Sequence, residues 1–157
     1  MKRFEGKSAL ITGAAGFIGQ RIAKRFASEG CAVSICDFNL KGAEAVAAQI
    51  NSEGGKAISV AVNVREAGDA VMAVQKTIEA FGKVDYLINV AGGSTREKAC
   101  YFMDQDMDVM QDNIGVNFFG ALNFAHAVAS YMGARGTGSI IFIGSTLGIQ
   151  GQRGYIE

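Results

Sequence analysis

The sequence predicts an α/β domain built on a parallel sheet, and three observations carry that reading. Short, nearly continuous apolar runs alternate with longer stretches of helical period, the pattern of strand–helix–strand units joined by right-handed crossovers. The apolar runs hold few polar residues, as strands buried on both faces do. The chain has 157 residues, 49% hydrophobic and 19% charged. That is an ordinary globular composition, and enough chain to bury roughly two thirds of its unfolded surface. No repeat, low-complexity tract or linker divides it, so 1–157 reads as one domain.

The elements follow in order. SALIT at 8–12 is the first strand. From Phe17 to Glu29, Ile18, Ile22, Ala23, Phe26 and Ala27 mark a helical face, and Gly30 follows as a C-cap. AVSIC at 32–36 is the second strand, and the Ala-rich stretch 40–53 is helical up to the Gly-Gly at 54–55. AISVAV at 57–62 is the third strand; the helix after it presents Val71, Val74, Ile78 and Phe81 on one face and closes at Gly82. VDYLINV at 84–90 is the fourth strand. A long helix over about 104–132 carries Ile114, Phe118, Ala121, Ala125, Val128 and Met132 at helical spacing. Phe119, Leu122 and Phe124 make it apolar on a second side, so it is expected to bury two faces. SIIFIG, starting at Ser139, is the fifth strand.

Charge and cysteines narrow the function classes. Fifteen basic and fifteen acidic side chains cancel, which gives no basis for binding nucleic acid or anionic lipid. Cys31, Cys36 and Cys100 show no Cys-x-x-Cys spacing and no His cluster, so they read as small apolar fillers in a cytoplasmic protein rather than metal ligands. The first residues form no signal peptide, and no apolar run approaches the ~20 residues of a membrane helix.

TGAAGFIG at 12–19 joins the first strand to the first helix. A pyrophosphate needs backbone N–H groups at close range and the positive end of a helix dipole, and glycines permit that approach. Gly13 makes the tight turn, Gly16 the close approach, and Gly19 lets the helix pack on the sheet, with Phe17 and Ile18 between them. Asp37 ends the second strand, 18 residues after Gly19, where a carboxylate accepts hydrogen bonds from the adenosine ribose. It also repels a 2′-phosphate, and neither 14–18 nor Phe38 offers a cation to attract one. The expected cofactor is NAD rather than NADP.

With these residues placed, the chain resembles the short-chain dehydrogenase/reductase family over its whole length. TGAAGFIG looks like that family's cofactor loop, and Asn63-Val64 stands where it has Asp-Val beside the adenine. Asn89-Val-Ala91-Gly92 resembles its Asn-Asn-Ala-Gly, Val116-Asn117-Phe-Phe-Gly its catalytic-Asn helix, and the Ser145 segment its catalytic-Ser strand end. Three departures stand out: Gly-x-x-Gly spacing as in the extended, epimerase-like branch, Asn63 for Asp, and Val90 for Asn. The later motifs resemble the classical branch.

The resemblance implies a Rossmann-type doubly wound sheet of order 3-2-1-4-5, here without the family's last strands and helices. It implies hydride transfer between nicotinamide and an alcohol or ketone, and a homodimer or homotetramer in the full-length form. Asn117 is expected to hold a water in a proton relay, and Ser145 to hydrogen-bond the substrate oxygen as charge develops on it. Asn89 ties adjacent strands, and Gly92 lets the nicotinamide half approach the backbone. The family's Tyr usually lies about 13 residues after the Ser, with a Lys four further on. Tyr155 is only 10 after Ser145, so it reads as a loop aromatic, with the Tyr and Lys beyond Glu157. The rival readings are a catalytically incomplete dinucleotide-binding fragment and an extended-branch enzyme. His126 is expected in a core or interface, Met103, Met107 and Met110 in packing or a substrate-side wall, and 92–105 beside the substrate.

Overall fold

The structure, a computed structural model, describes residues 2–93 and 101–150. Tyr155, Cys100 and half of the expected substrate-side segment, 94–100, lie outside the described residues. The elements are β1 (Ser8–Thr12), α1 (Phe17–Ser28), β2 (Ala32–Asp37), α2 (Leu40–Ser52), β3 (Lys56–Ala61), α3 (Ala67–Phe81), β4 (Tyr86–Asn89), α4 (Met107–Ile114), α5 (Ala121–Arg135), β5 (Ser139–Phe142) and α6 (Leu147–Gln150). The strands form one parallel sheet in the order β3-β2-β1-β4-β5, a doubly wound Rossmann-type arrangement.

The pleat sorts the core into two layers. Ala9 and Ile11 of β1 join Val33, Ile35 and Ile88 on one face, under Ala23 of α1 and Ala43 and Val46 of α2. Leu10 joins Leu87 on the other, under Ala73 and Val74 of α3 and Phe124 and Val128 of α5. Burial on both faces is why β1 is a continuous apolar run. Cys31 and Cys36 belong to these layers, and burial pushes the Cys31 thiol up to about 12 and that of Cys36 up as well. Both act as apolar fillers.

At the bottom of the sheet the buried Asp85 joins three elements. Its carboxylate accepts from Ser8 N at 3.0 Å and from the Arg135 guanidinium at 3.1 Å, with Lys83 Nζ 3.7 Å away. Burial alone would raise its pKa; the Ser8 amide and Arg135 outweigh that and hold it below the ordinary carboxylate value.

The structure corrects several expectations. On α3 the buried positions are Ala70, Ala73, Val74 and Thr77, while Val71 is exposed. Small residues let that helix approach the sheet, and Thr77 can be buried because its hydroxyl donates to Ala73 O and shares a hydrogen bond with the Ser34 hydroxyl. The long helix runs unbroken from Met107 to Arg135 but is not uniformly α. A 3₁₀ turn at Phe102–Asp104, then α4, then a π-helical segment Gly115–Gly120 precede α5. The wider π turn holds more residues than an α turn, and the buried line becomes Gly120, Phe124, Val128 and Met132. Of the second side only Phe124 is buried, while Phe119 and Leu122 are exposed, and Ile114 and Phe118 of the first side are exposed as well. Met103 and Met107 are exposed, which rules out packing for them and leaves the substrate-side reading, and His126 is on the surface, which rules out the core and leaves the interface reading.

Candidate functional site

Above the C-terminal ends of β1, β2 and β4 lies a cavity of about 840 Å³, where open parallel sheets place ligands. Its wall is built from the glycine loop, the β2 end, the loop after β3, the β4 end and the π segment. The structure therefore brings together Gly13, Gly16, Phe17, Ile18, Gly19, Asp37, Phe38, Asn63, Val64, Ala91, Gly92 and Val116, which the sequence had scattered over a hundred residues.

The glycine loop is shaped by what a Cβ would strike. Gly13 has φ 62, and a Cβ there would stand 2.7 Å from Ala91 Cα. At Gly19 a Cβ would overlap Gly13 O and come within 2.8 Å of Ala14 Cα. Gly16 differs: its φ is −73 and its Cβ would meet only Gly13 O, at 3.2 Å. The protein itself imposes little at Gly16, so the bare backbone there faces the cavity. Helix α1 starts at this point with no side-chain cap and no acidic residue in its first turn. Its first amides are left for an outside acceptor, as an anion site requires.

Asp37 is nearly buried, and its carboxylate accepts from Ala15 N at 2.9 Å and from Asn39 N at 2.9 Å. It thus fixes the glycine loop as well as lining the cavity, a role its strand-end position did not reveal. Each carboxylate oxygen keeps a second lone pair for a ligand. Phe38 beside it is exposed.

Across the cavity Thr12 Oγ1 accepts from Val90 N at 3.1 Å and Ala91 N at 3.2 Å, which turns the chain at the end of β4. Sequence reading passed over Thr12, whose only signal was a polar residue ending an apolar strand. Asn117 sits in the π segment, and its amide makes a reciprocal pair with Gly93: Gly93 N donates to Oδ1 at 2.9 Å, and Nδ2 donates to Gly93 O at 2.8 Å. A Cβ on Gly92 would stand 2.7 Å from that Oδ1, so the bare backbone at 92 makes room for the Asn117 amide. Asn89 bridges β1 and β5 through its backbone, but its buried side-chain amide has no hydrogen-bond partner among the described residues. The strand-tying role expected of Asn89 is carried by its main chain.

Asn63 N donates to Asp69 Oδ2 at 2.7 Å, and Asn63 Oδ1 accepts from Arg65 N at 3.2 Å, so the loop after β3 has its own turn. Arg65 is a cavity-lining cation that the sequence reading missed; it pairs with Asp112 at 2.8 Å. Ser145 follows β5 and caps the start of α6 by accepting from Gly148 N through its main-chain oxygen at 3.3 Å. It is not among the residues lining the cavity. Among the described residues no group of His, Cys, Asp and Glu could hold a metal ion, and no helix is long and apolar enough to cross a membrane.

Comparison with known proteins agrees with this geometry. The family model described as short chain dehydrogenase matches residues 7–156. A D-threitol dehydrogenase from Mycolicibacterium smegmatis is 34% identical over 91% of this chain and 54% of its own length. A 7α-hydroxysteroid dehydrogenase from Bacteroides fragilis is 30% identical over 95% of this chain and 58% of its own. Among solved structures, a short chain dehydrogenase from Mycobacterium avium superposes with a TM-score of 0.90 at 28% identity, covering 98% of this chain and 57% of that one. A 7α-hydroxysteroid dehydrogenase complexed with NADH and 7-oxo glycochenodeoxycholic acid gives 0.89 at 31% identity, covering 97% and 58%. The chain spans somewhat more than half the length of these two relatives. With its sheet order, its glycine loop and its match along nearly the whole chain, this protein belongs to the short-chain dehydrogenase/reductase family of oxidoreductases.

Proposed function

We propose that this chain is the cofactor-binding part of an NAD-dependent oxidoreductase that moves a hydride between a nicotinamide and an alcohol or ketone. The observation that carries the reading is the cradle at Gly13–Gly19, where an uncapped helix start and bare backbone at Gly16 open on the cavity. A dinucleotide fits these residues. Its pyrophosphate would meet the α1 amides, its adenosine ribose Asp37, and its adenine the Asn63–Val64 rim. Its nicotinamide half would lie by Ala91, Gly92 and Val116. The nicotinamide supplies or accepts the hydride.

The protein's part is to orient and to manage protons. Asn117 holds the Gly93 backbone at the rim, and its amide retains one lone pair and one hydrogen for a water. Ser145 donates to the substrate oxygen as charge develops there. The resemblance adds a Tyr as acid/base and a Lys that lowers its pKa; such proton transfer is worth about 10²–10⁴-fold. The substrate is a small alcohol or ketone whose frame the present residues do not define. One relative is named for D-threitol and another for a 7α-hydroxysteroid. The full-length form would assemble as a homodimer or homotetramer and act in the cytoplasm.

Preference for NAD rests on Asp37 and on the absence of a cation at 14–18 and 38; Arg65, at the other rim, is already paired with Asp112. Asp37→Ser combined with Phe38→Arg is expected to shift the affinity ratio toward NADP by about tenfold or more. Titration of both cofactors measures it, and an unchanged ratio would sink the placement of Asp37.

A second reading is a dinucleotide-binding unit without turnover, which needs only the glycine cradle and Asp37 that line the cavity. An NAD titration beside turnover assays with a panel of alcohols separates the two. Binding without turnover selects the second.

A further inference from the structure

We propose that the end of α4, the π segment and the start of α5 act as a brace for the adenine-side rim of the cavity, with Asn123 and Asp112 as its positioning residues. The proposal rests on the dinucleotide reading above. Val64 and Arg65 line the cavity from the loop after β3, and such a loop is ordinarily the mobile part of a site. Here two side chains from a distant stretch of chain hold it. Asn123 Nδ2 donates to Val64 O at 3.0 Å and to Arg65 O at 3.2 Å, so one amide orients two consecutive peptide carbonyls. Asp112 takes the Arg65 guanidinium at 2.8 Å.

Two glycines make this approach possible. A Cβ on Gly120 would stand 2.6 Å from Val64 Cγ2, and one on Gly115 would stand 3.2 Å from Arg65 Nε. Gly115 and Gly120 are the first and last residues of the π segment, so the irregular turn begins and ends where the helix touches the rim. Between them Asn117 clasps Gly93 at the opposite rim. One stretch of helix therefore fixes both walls of the cavity, and the part facing Val64 and Arg65 sets where an adenine can lie. π turns recur at functional sites, and here the turn spaces two seats for one loop.

The test uses the 157-residue chain with two half-ligands, AMP for the adenine side and nicotinamide mononucleotide for the other, titrated by NMR. Asn123→Asp keeps the shape of the side chain but turns an acceptor toward two carbonyls. It is expected to weaken AMP about tenfold, the size of a lost hydrogen bond and the repulsion that replaces it, and to change nicotinamide mononucleotide less than twofold. Asp112→Asn removes an exposed pair that contributes little to stability, so it should melt like the parent and still bind AMP several-fold more weakly. That variant keeps the test alive if Asn123→Asp does not fold. Parental AMP affinity in a folded variant, or equal losses of both half-ligands, would overturn the brace while leaving the cofactor reading intact. A parent chain that binds neither AMP nor NAD would overturn the reading on which the brace rests.

Discussion

Two strands of the sheet, SALIT in β1 and SIIF in β5, have much the same composition and opposite circumstances. Every residue of β1 is buried, flanked by β2 and β4 and covered by helices on both faces. In β5 only Ile140 is even partly buried; Ile141 is 39% and Phe142 56% exposed, and among the described residues the strand pairs with β4 alone. The difference teaches that apolar sequence is a capacity for burial, and that neighbours decide how much of it is used. The proposed cofactor half stands on the closed side, with Asp37, Thr12 and the glycine loop tied to each other or to β4. Ser145, proposed to meet the substrate, follows the open strand.

The largest expected effect is at the closed strand. Leu10 is wholly buried, so Leu10→Ala should cost about 2–5 kcal/mol through lost burial and the cavity left behind. Phe142→Ala should cost under about 1 kcal/mol despite deleting more atoms, because over half of that side chain already meets water. Urea unfolding of both variants measures the contrast. Equal losses would mean that β5 is covered in solution.

Asp85 sharpens the comparison at the bottom of the sheet, where it links β1, β4 and α5. Its pKa in the folded protein is depressed, so its contribution is present above the ordinary Asp value of about 3.9 and is lost as pH falls through the folded value. Asp85→Asn should cost about 1–3 kcal/mol at neutral pH, since Arg135 loses its carboxylate. Below about pH 4 the gap between variant and parent should close. A gap that persists in acid would remove the carboxylate's charge from the account.

The smallest effect on stability, and the most visible in handling, is expected at the open edge. Unpaired apolar edge strands template association, and an added Lys blunts them. Ile141→Lys should change the melting midpoint little while making thermal unfolding more reversible and lowering light scattering. A parent chain that is already monomeric and melts reversibly would show that β5 is not a liability.

Much of the fold was legible because it depends on short-range pattern. Strand runs, helix faces and Gly caps are local signals, and all five predicted strands lie within one or two residues of those observed. The helix faces were less legible. Val71 is as apolar as Val74, yet one is exposed and the other buried, because small residues decide which side of α3 can approach the sheet. The π segment could not be read at all, since a few residues of α and π period leave the same apolar pattern.

For the site, the sequence by itself determined the residues around a strand-to-helix turn: Gly13, Gly16, Gly19 and the acid at the end of β2. Their spacing is fixed by one strand, one turn and one helix, so position along the chain stands in for position in space. Only the tertiary structure decided that Asp37 holds Ala15 and that Thr12 turns the end of β4. The same is true of Asn117 clasping Gly93, and of Asn123 and Asp112 reaching back to Val64 and Arg65. Those partners lie between 22 and 78 residues apart. No local propensity encodes a hydrogen bond across that distance; it exists because the parallel sheet and the helices packed on it bring the two stretches of chain within reach.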